Sequence, residues 1–198
     1  MLDGPMIIMI IVWLYALSVA KRARFRSLYF WIGCLGLFFI LLYAFRTYYV
    51  WFFSALLTNI VGFFGHLGNA FTTSPVYGLI NIACRNGGNV ILHVDYECSG
   101  VVEKTAYIAL LAFYPLYDRH ERMAWMAKGL ILILLANSFR LLFICFNVYW
   151  FGPDSMFLFH SIIGRIIFYL CVVAIYYQVF TKPQIQKVRQ DDFSFQGK

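Results

Sequence analysis

Apolar residues along this chain come in runs of bilayer-crossing length, separated by short polar breaks. A membrane-spanning helix needs about 20 predominantly apolar residues. Residues 6–20, 27–45, 99–117, 129–150 and 157–180 read as five such spans. Residues 48–67 form another apolar run of different character. It is long enough to cross, yet it holds Asn59 and His66, opens on a cluster of aromatics, and carries Gly62, Gly65 and Gly68. Crossing there would reverse the orientation of every later span, so the charge pattern favours an amphipathic helix on the outer leaflet. Residues 68–98 are more polar. Pro75, Gly78, Asn86, Gly87 and Gly88 are turn signals, and β-formers at 76–83 and 90–96 flank the Asn-Gly-Gly. That pattern predicts a small extracytoplasmic hairpin delivering Cys98 to the membrane edge.

The expected fold is an all-α integral membrane protein in one membrane domain, residues 1–198. It has five spans, the 48–67 interfacial helix, the 68–98 loop with its hairpin, and a 181–198 cytoplasmic tail. Composition agrees: 62% of the 198 residues are hydrophobic and only 13% are charged, too few charges for a soluble domain of this size. The net charge of +7 is clustered at Lys21–Arg26, between Arg119 and Lys128, and at Lys182, Lys187 and Arg189. Bases mark cytoplasmic loops and lie where anionic lipid headgroups lie, which makes membrane lipids a partner. They form no readout face for nucleic acid. Ser18, Val19 and Ala20 resemble a signal-peptidase site, but residues 1–6 carry no base and bases follow the run directly. The first helix is expected to be retained.

Three residues interrupt this apolar pattern where interruption is costly. Cys98 lies at the polar lip of the third span, Arg140 inside the fourth and His160 inside the fifth. Ionisable groups in hydrocarbon are functional candidates. With alternating spans, Cys98 starts at the outer face, Arg140 lies roughly 15 Å below it and His160 just beneath it. All three therefore share the outer half of the bilayer, and are expected around one small cavity open to the exterior. They are the parts of a cysteine acyl-transfer site: a thiol, an imidazole to take its proton, and a guanidinium for an oxyanion or a substrate carbonyl. Asn137 shares a helical face with Arg140. Ser99 is placed to cap the third span, whose first amides offer an oxyanion hole. Asp95 and Glu97 flank the thiol and oppose its ionisation.

Plainer readings stand beside these. Arg140 or Arg165 paired with Glu103 makes a structural network. A lone membrane histidine is often only hydrogen-bonded, and a lone cysteine often packs as a small hydrophobe. A Cys84–Cys98 disulfide would remove the nucleophile. The five cysteines show no metal-ligand spacing, so no zinc site is expected, and nothing signals a cofactor.

Glu97-Cys98-Ser99-Gly100, Asn137 with Arg140, and His160 with Gly164 and Arg165 together resemble the exosortase/archaeosortase family of membrane cysteine transpeptidases. The stretches 95–100 and 164–169 look closest to the short G-type exosortases of Gram-positive bacteria. The likeness is good over about 77–180 and loose before that. It implies Cys98 as nucleophile with Arg140 and His160 as essential partners. It also implies substrates carrying a C-terminal sorting signal, made of a short motif, an apolar helix and a basic tail. The acyl group would pass to an acceptor that the sequence does not identify. The chain is shorter than eight-span members, which bears on how a substrate docks. Against this transpeptidase stands a non-enzymatic assembly factor or transporter subunit. A transport path needs polar residues throughout, whereas the inner halves of these spans are nearly all apolar.

Overall fold

The computed structural model describes residues 4–68 and 70–188. Helix α1, Gly4–Arg22, turns at Arg24 into α2, Arg26–Gly68. The two pack antiparallel. Trp13 lies against Gly36 and donates its indole N–H to the Ile32 carbonyl at 2.8 Å. Helix α2 is one rod of 43 residues, about 65 Å long. The expected second span and the expected interfacial helix are thus continuous. Between Gly36 and Gly62 the sequence has neither glycine nor proline, and nothing breaks the hydrogen-bond ladder.

A three-stranded antiparallel sheet follows, in the order β1 (Phe71–Ser74), β2 (Leu79–Ala83), β3 (Asn89–His93). The β2–β3 hairpin turns where Gly87 and Gly88 take positive φ, and Ile80 faces Leu92 across it. The expected hairpin is present. The third strand was not expected, because Phe-Thr-Thr-Ser is too short and polar to stand out beside the glycines before it. Ile80, Ile82, Leu92 and Phe71 turn one face of the sheet into a core.

Helix α3 runs only from Val101 to Phe113. The expected span 99–117 contains these 13 helical residues and no more, because Pro115 forces Tyr114 into an extended conformation. Helix α4, Arg119–Phe151, starts ten residues before its expected boundary. The basic stretch read as a loop is its first turns, built from the good helix formers Arg, Glu, Met, Ala and Lys. Arg122 joins the two helices by donating to the carbonyls of Ala112, Tyr114 and Tyr117. The last helical stretch comprises a π-helical segment at Leu158–Ile163, α5 at Gly164–Tyr176 and a second π segment at Tyr177–Thr181. Helix continues from 182 to 188, into the expected tail, whose residues 189–198 lie outside the described residues.

Among the described residues, five stretches are long and apolar enough to cross a membrane: Gly4–Arg22, Arg26–Ala44, Tyr48–Gly68, Arg119–Phe151 and Pro153–Val188. Large apolar side chains are exposed along their outer faces, among them Ile11, Leu35, Phe39, Leu135 and Leu170. Such belts are sustainable only against lipid. Inside, two apolar clusters are stacked along the helices. One joins the second half of α2, the sheet and the end of α4 through Leu57, Ile80, Ile82, Leu141 and Ile144. The other joins α3, α4 and α5 through Tyr107, Leu111, Ile133 and Phe168. Cys98 belongs to the first cluster, and Arg140 of α4 reaches the Phe168 ring of the second.

Candidate active site

Strand β3 feeds directly into the loop that carries Cys98. Asp95 shapes this loop, its Oδ1 accepting from the backbone N–H of Glu97 at 3.1 Å and of Cys98 at 3.2 Å. Gly100 ends the loop with φ +66°, a left-handed conformation that side chains rarely adopt. A Cβ there would also come within 3.1 Å of Asn137 Nδ2 and 3.3 Å of Lys104 Nζ. The backbone conformation therefore favours glycine, and any side chain would also press on Asn137 and Lys104. Ser99 is fully buried but does not cap α3. Gly100 is the cap residue, and Ser99 Oγ donates to the Tyr96 carbonyl at 3.0 Å. The left-handed turn carries the serine side chain back along the loop, away from the first helical amides.

Helix α4 presents a buried stripe through Ile133, Asn137, Arg140, Leu141 and Ile144. Asn137 Nδ2 donates to the Cys98 carbonyl at 2.7 Å and ties the loop to the helix. Its Oδ1 is buried without a partner among the described residues. Arg140 is 3% exposed, its guanidinium 5.7 Å from the centre of the Phe168 ring. Its Nε likewise lacks a partner, and no carboxylate of the described residues pairs with it. An unpaired guanidinium buried this way costs several kcal/mol, as an order of magnitude.

His160 lies in the π-helical segment, a geometry found often at functional sites. Its Nε2 is 3.6 Å from Cys98 Sγ. If Nε2 is the acceptor, the proton resides on Nδ1, which is buried and has no partner among the described residues. Just after it, Gly164 lets α5 close on α4, since a Cβ would crowd Ile144 and the Phe159 carbonyl. The Arg140 charge reaches both Cys98 and His160. Burial pushes the Cys98 thiol up to about 11. Arg140 opposes this, the Asp95 charge and a hydrogen bond to its side chain add to it, and Arg165 draws it down slightly. The resting site accordingly holds a neutral thiol beside an imidazole. All five cysteines are free, Cys84 and Cys98 included.

The remaining candidates take other places. Arg165 pairs with Glu97 at 2.9 Å, both substantially exposed, a contact worth about 0–1 kcal/mol. Glu103 forms no ion pair with Arg140 or Arg165. Its backbone carbonyl accepts from Tyr176 at 3.2 Å. The alternative network of Glu103 with an arginine is not formed among the described residues: the Arg165 pair goes to Glu97, and the Arg140 guanidinium lies over the Phe168 ring of α5. A residue that the sequence reading passed over is Lys104. It is 2% exposed, donates to the Ser99 carbonyl at 2.7 Å and sits 4.0 Å over the Phe53 ring. The signal was a lone lysine within an apolar run, four residues after a glycine.

The family model for the transmembrane exosortases (Exosortase_EpsH) matches residues 3–177. No curated protein and no solved structure matches the chain. With a match over nearly its whole length and helices fit to cross a bilayer several times, this chain belongs to the transmembrane exosortase family as a multi-pass membrane protein.

Proposed function

We propose that the protein is a cysteine transpeptidase that cuts C-terminal sorting signals of exported proteins through a Cys98 thioester, on the outer face of the membrane. One observation carries the reading: Cys98 Sγ lies 3.6 Å from His160 Nε2, and the charge of the buried Arg140, which has no acid partner among the described residues, reaches both. His160 Nε2 takes the thiol proton as Sγ attacks the scissile carbonyl carbon. The new S–C bond leaves a negative oxygen, for which the buried, acid-free Arg140 is the candidate cation, its charge already reaching Cys98. A charged donor of this kind is worth about 3–4 kcal/mol in the transition state. The C–N bond then breaks, and the imidazolium returns its proton to the leaving amine. An acceptor nucleophile attacks the thioester, gives its proton to His160 and releases the sulfur.

Because Cys98 is only 3% exposed, a substrate has to displace neighbouring side chains to reach the sulfur while the Cys98–His160 contact stays made. Asn137 keeps the loop in place meanwhile, holding the Cys98 carbonyl. The outer-face assignment is supported by the bases, which gather around the α1–α2 turn and the start of α4, at the opposite end of α3 from Cys98. A structural arginine–glutamate network expects a carboxylate on Arg140, and Glu103 does not supply one.

The test is co-expression with a substrate bearing a sorting signal. Cys98→Ala is expected to abolish processing with the protein still present in the membrane. Arg140→Lys is expected to fail as well, since an ammonium lacks the planar fork of the guanidinium. Continued processing by Cys98→Ala would overturn the mechanism, and full activity in Arg140→Lys would reduce Arg140 to a generic charge.

A further inference from the structure

A cavity of about 840 Å³ opens at the end of the molecule away from Cys98. It lies between the α1–α2 turn, the end of α3 and the start of α4. Lys21, Arg24, Arg26 and Arg122 line it, and no acidic residue does. None of these bases takes part in an ion pair among the described residues. Arg122 supplies a fixed charge at the wall. Its NH groups are held by three carbonyls, while its Nε is buried and unpartnered. Arg24 holds φ +56°, a left-handed conformation unfavourable for a residue with a side chain. The turn thus keeps three cations at one mouth despite their mutual repulsion and a strained backbone.

Beside the cavity runs an apolar groove of about 510 Å³ between α2, α3 and α5. Phe30 lines both. Val172, Val173 and Leu110 face the groove, and almost all of its surface is hydrocarbon or aromatic. A basic mouth with an apolar trough beside it, Phe30 common to both, matches a molecule with an anionic head and a hydrocarbon tail.

We infer that this cavity and groove form a specific site for one anionic phospholipid, its phosphate held by Arg24, Arg26, Lys21 and Arg122 and one acyl chain laid past Phe30 into the groove. General attraction of bases to a charged leaflet needs neither the pocket nor the trough. A free phosphate fits the mouth alone and leaves the trough unexplained. The site is independent of the chemistry at Cys98.

The full chain, purified in detergent, is titrated with phosphatidylglycerol, with phosphatidylcholine, and with inorganic phosphate as competitor. Bound lipid is counted by native mass spectrometry. One phosphatidylglycerol is expected to be retained at least about tenfold more tightly than phosphatidylcholine, with no displacement by millimolar phosphate. Arg24→Gln with Arg26→Gln is expected to erase the preference. Ala112→Phe, which keeps every charge and fills the cavity, is expected to do the same, so loss of orientation in the charge variant does not decide the matter. Equal retention of the two lipids, displacement by phosphate, or unchanged retention in Ala112→Phe overturns the proposal.

Discussion

At the scale of single residues, the Cys98 sulfur is set by opposing influences of unequal size. Burial disfavours the thiolate and outweighs the Arg140 charge, which leaves the thiol near 11. Well below that value the reactive thiolate fraction rises about tenfold for each unit of pH. Alkylation of Cys98 by a small reagent is therefore expected to climb about a hundredfold between pH 7 and pH 9. A preformed thiolate–imidazolium pair would give a flat profile over that range, so a mass-spectrometric rate measurement separates the two. Gly100 offers a second test. Gly100→Ala forces a Cβ into a left-handed backbone and toward Asn137, and a cost of about 1–2 kcal/mol is expected as a lowered unfolding temperature. Processing is expected to fall further than stability, because the Asn137 bond to the Cys98 carbonyl is what the new methyl group disturbs.

At the scale of elements, the π-helical segment at Leu158–Ile163 sets the direction of His160. Each α-helical residue turns the chain by about 100°. Deleting Ser161 from the segment is expected to swing His160 off the sulfur and abolish processing, with the chain still inserted in the membrane. A deletion mutant that still processes substrate would show that the imidazole finds Cys98 without this segment. The same elements show how far the sequence could be read. Cys98, Arg140 and His160 stood out because each breaks an apolar run, and alternating spans led to the expectation that all three share the outer half of the bilayer. The alternative pairing of Glu103 with an arginine is not formed among the described residues, and the direction of a side chain depends on how α3 is rotated, which hydropathy does not encode. Lys104 was missed because its role depends on Phe53, far away in sequence. The continuity of α2 is visible only as a missing helix breaker, a weaker signal than the polar and aromatic change around residue 48. The α3 terminus was legible in Pro115, and the π segments leave no compositional trace.

At the scale of the molecule, the site lies between two apolar clusters and depends on both remaining aligned. The sheet that launches the Cys98 loop rests on the second half of α2, where Gly62 receives Thr73 and Gly65 receives Phe71. Gly65→Leu is expected to lift the sheet at a cost of about 1–3 kcal/mol from overpacking. Processing is expected to drop with membrane level preserved, and wild-type processing in that variant would detach the sheet from the site. Membership of the transmembrane exosortase family fits this architecture, a membrane bundle with a small sheet at one end.

The unbroken length of α2 has a mechanical consequence. A rod of about 65 Å is roughly twice the thickness of a hydrocarbon layer of about 30 Å. Upright, it behaves as a mast whose foot stands among the bases of the α1–α2 turn and whose head carries the sheet. The height of the sulfur above the lipid is then fixed by a rigid gauge and not by a slack tether. A thicker or thinner bilayer tilts the mast and moves Cys98 up or down against any helix anchored beside it.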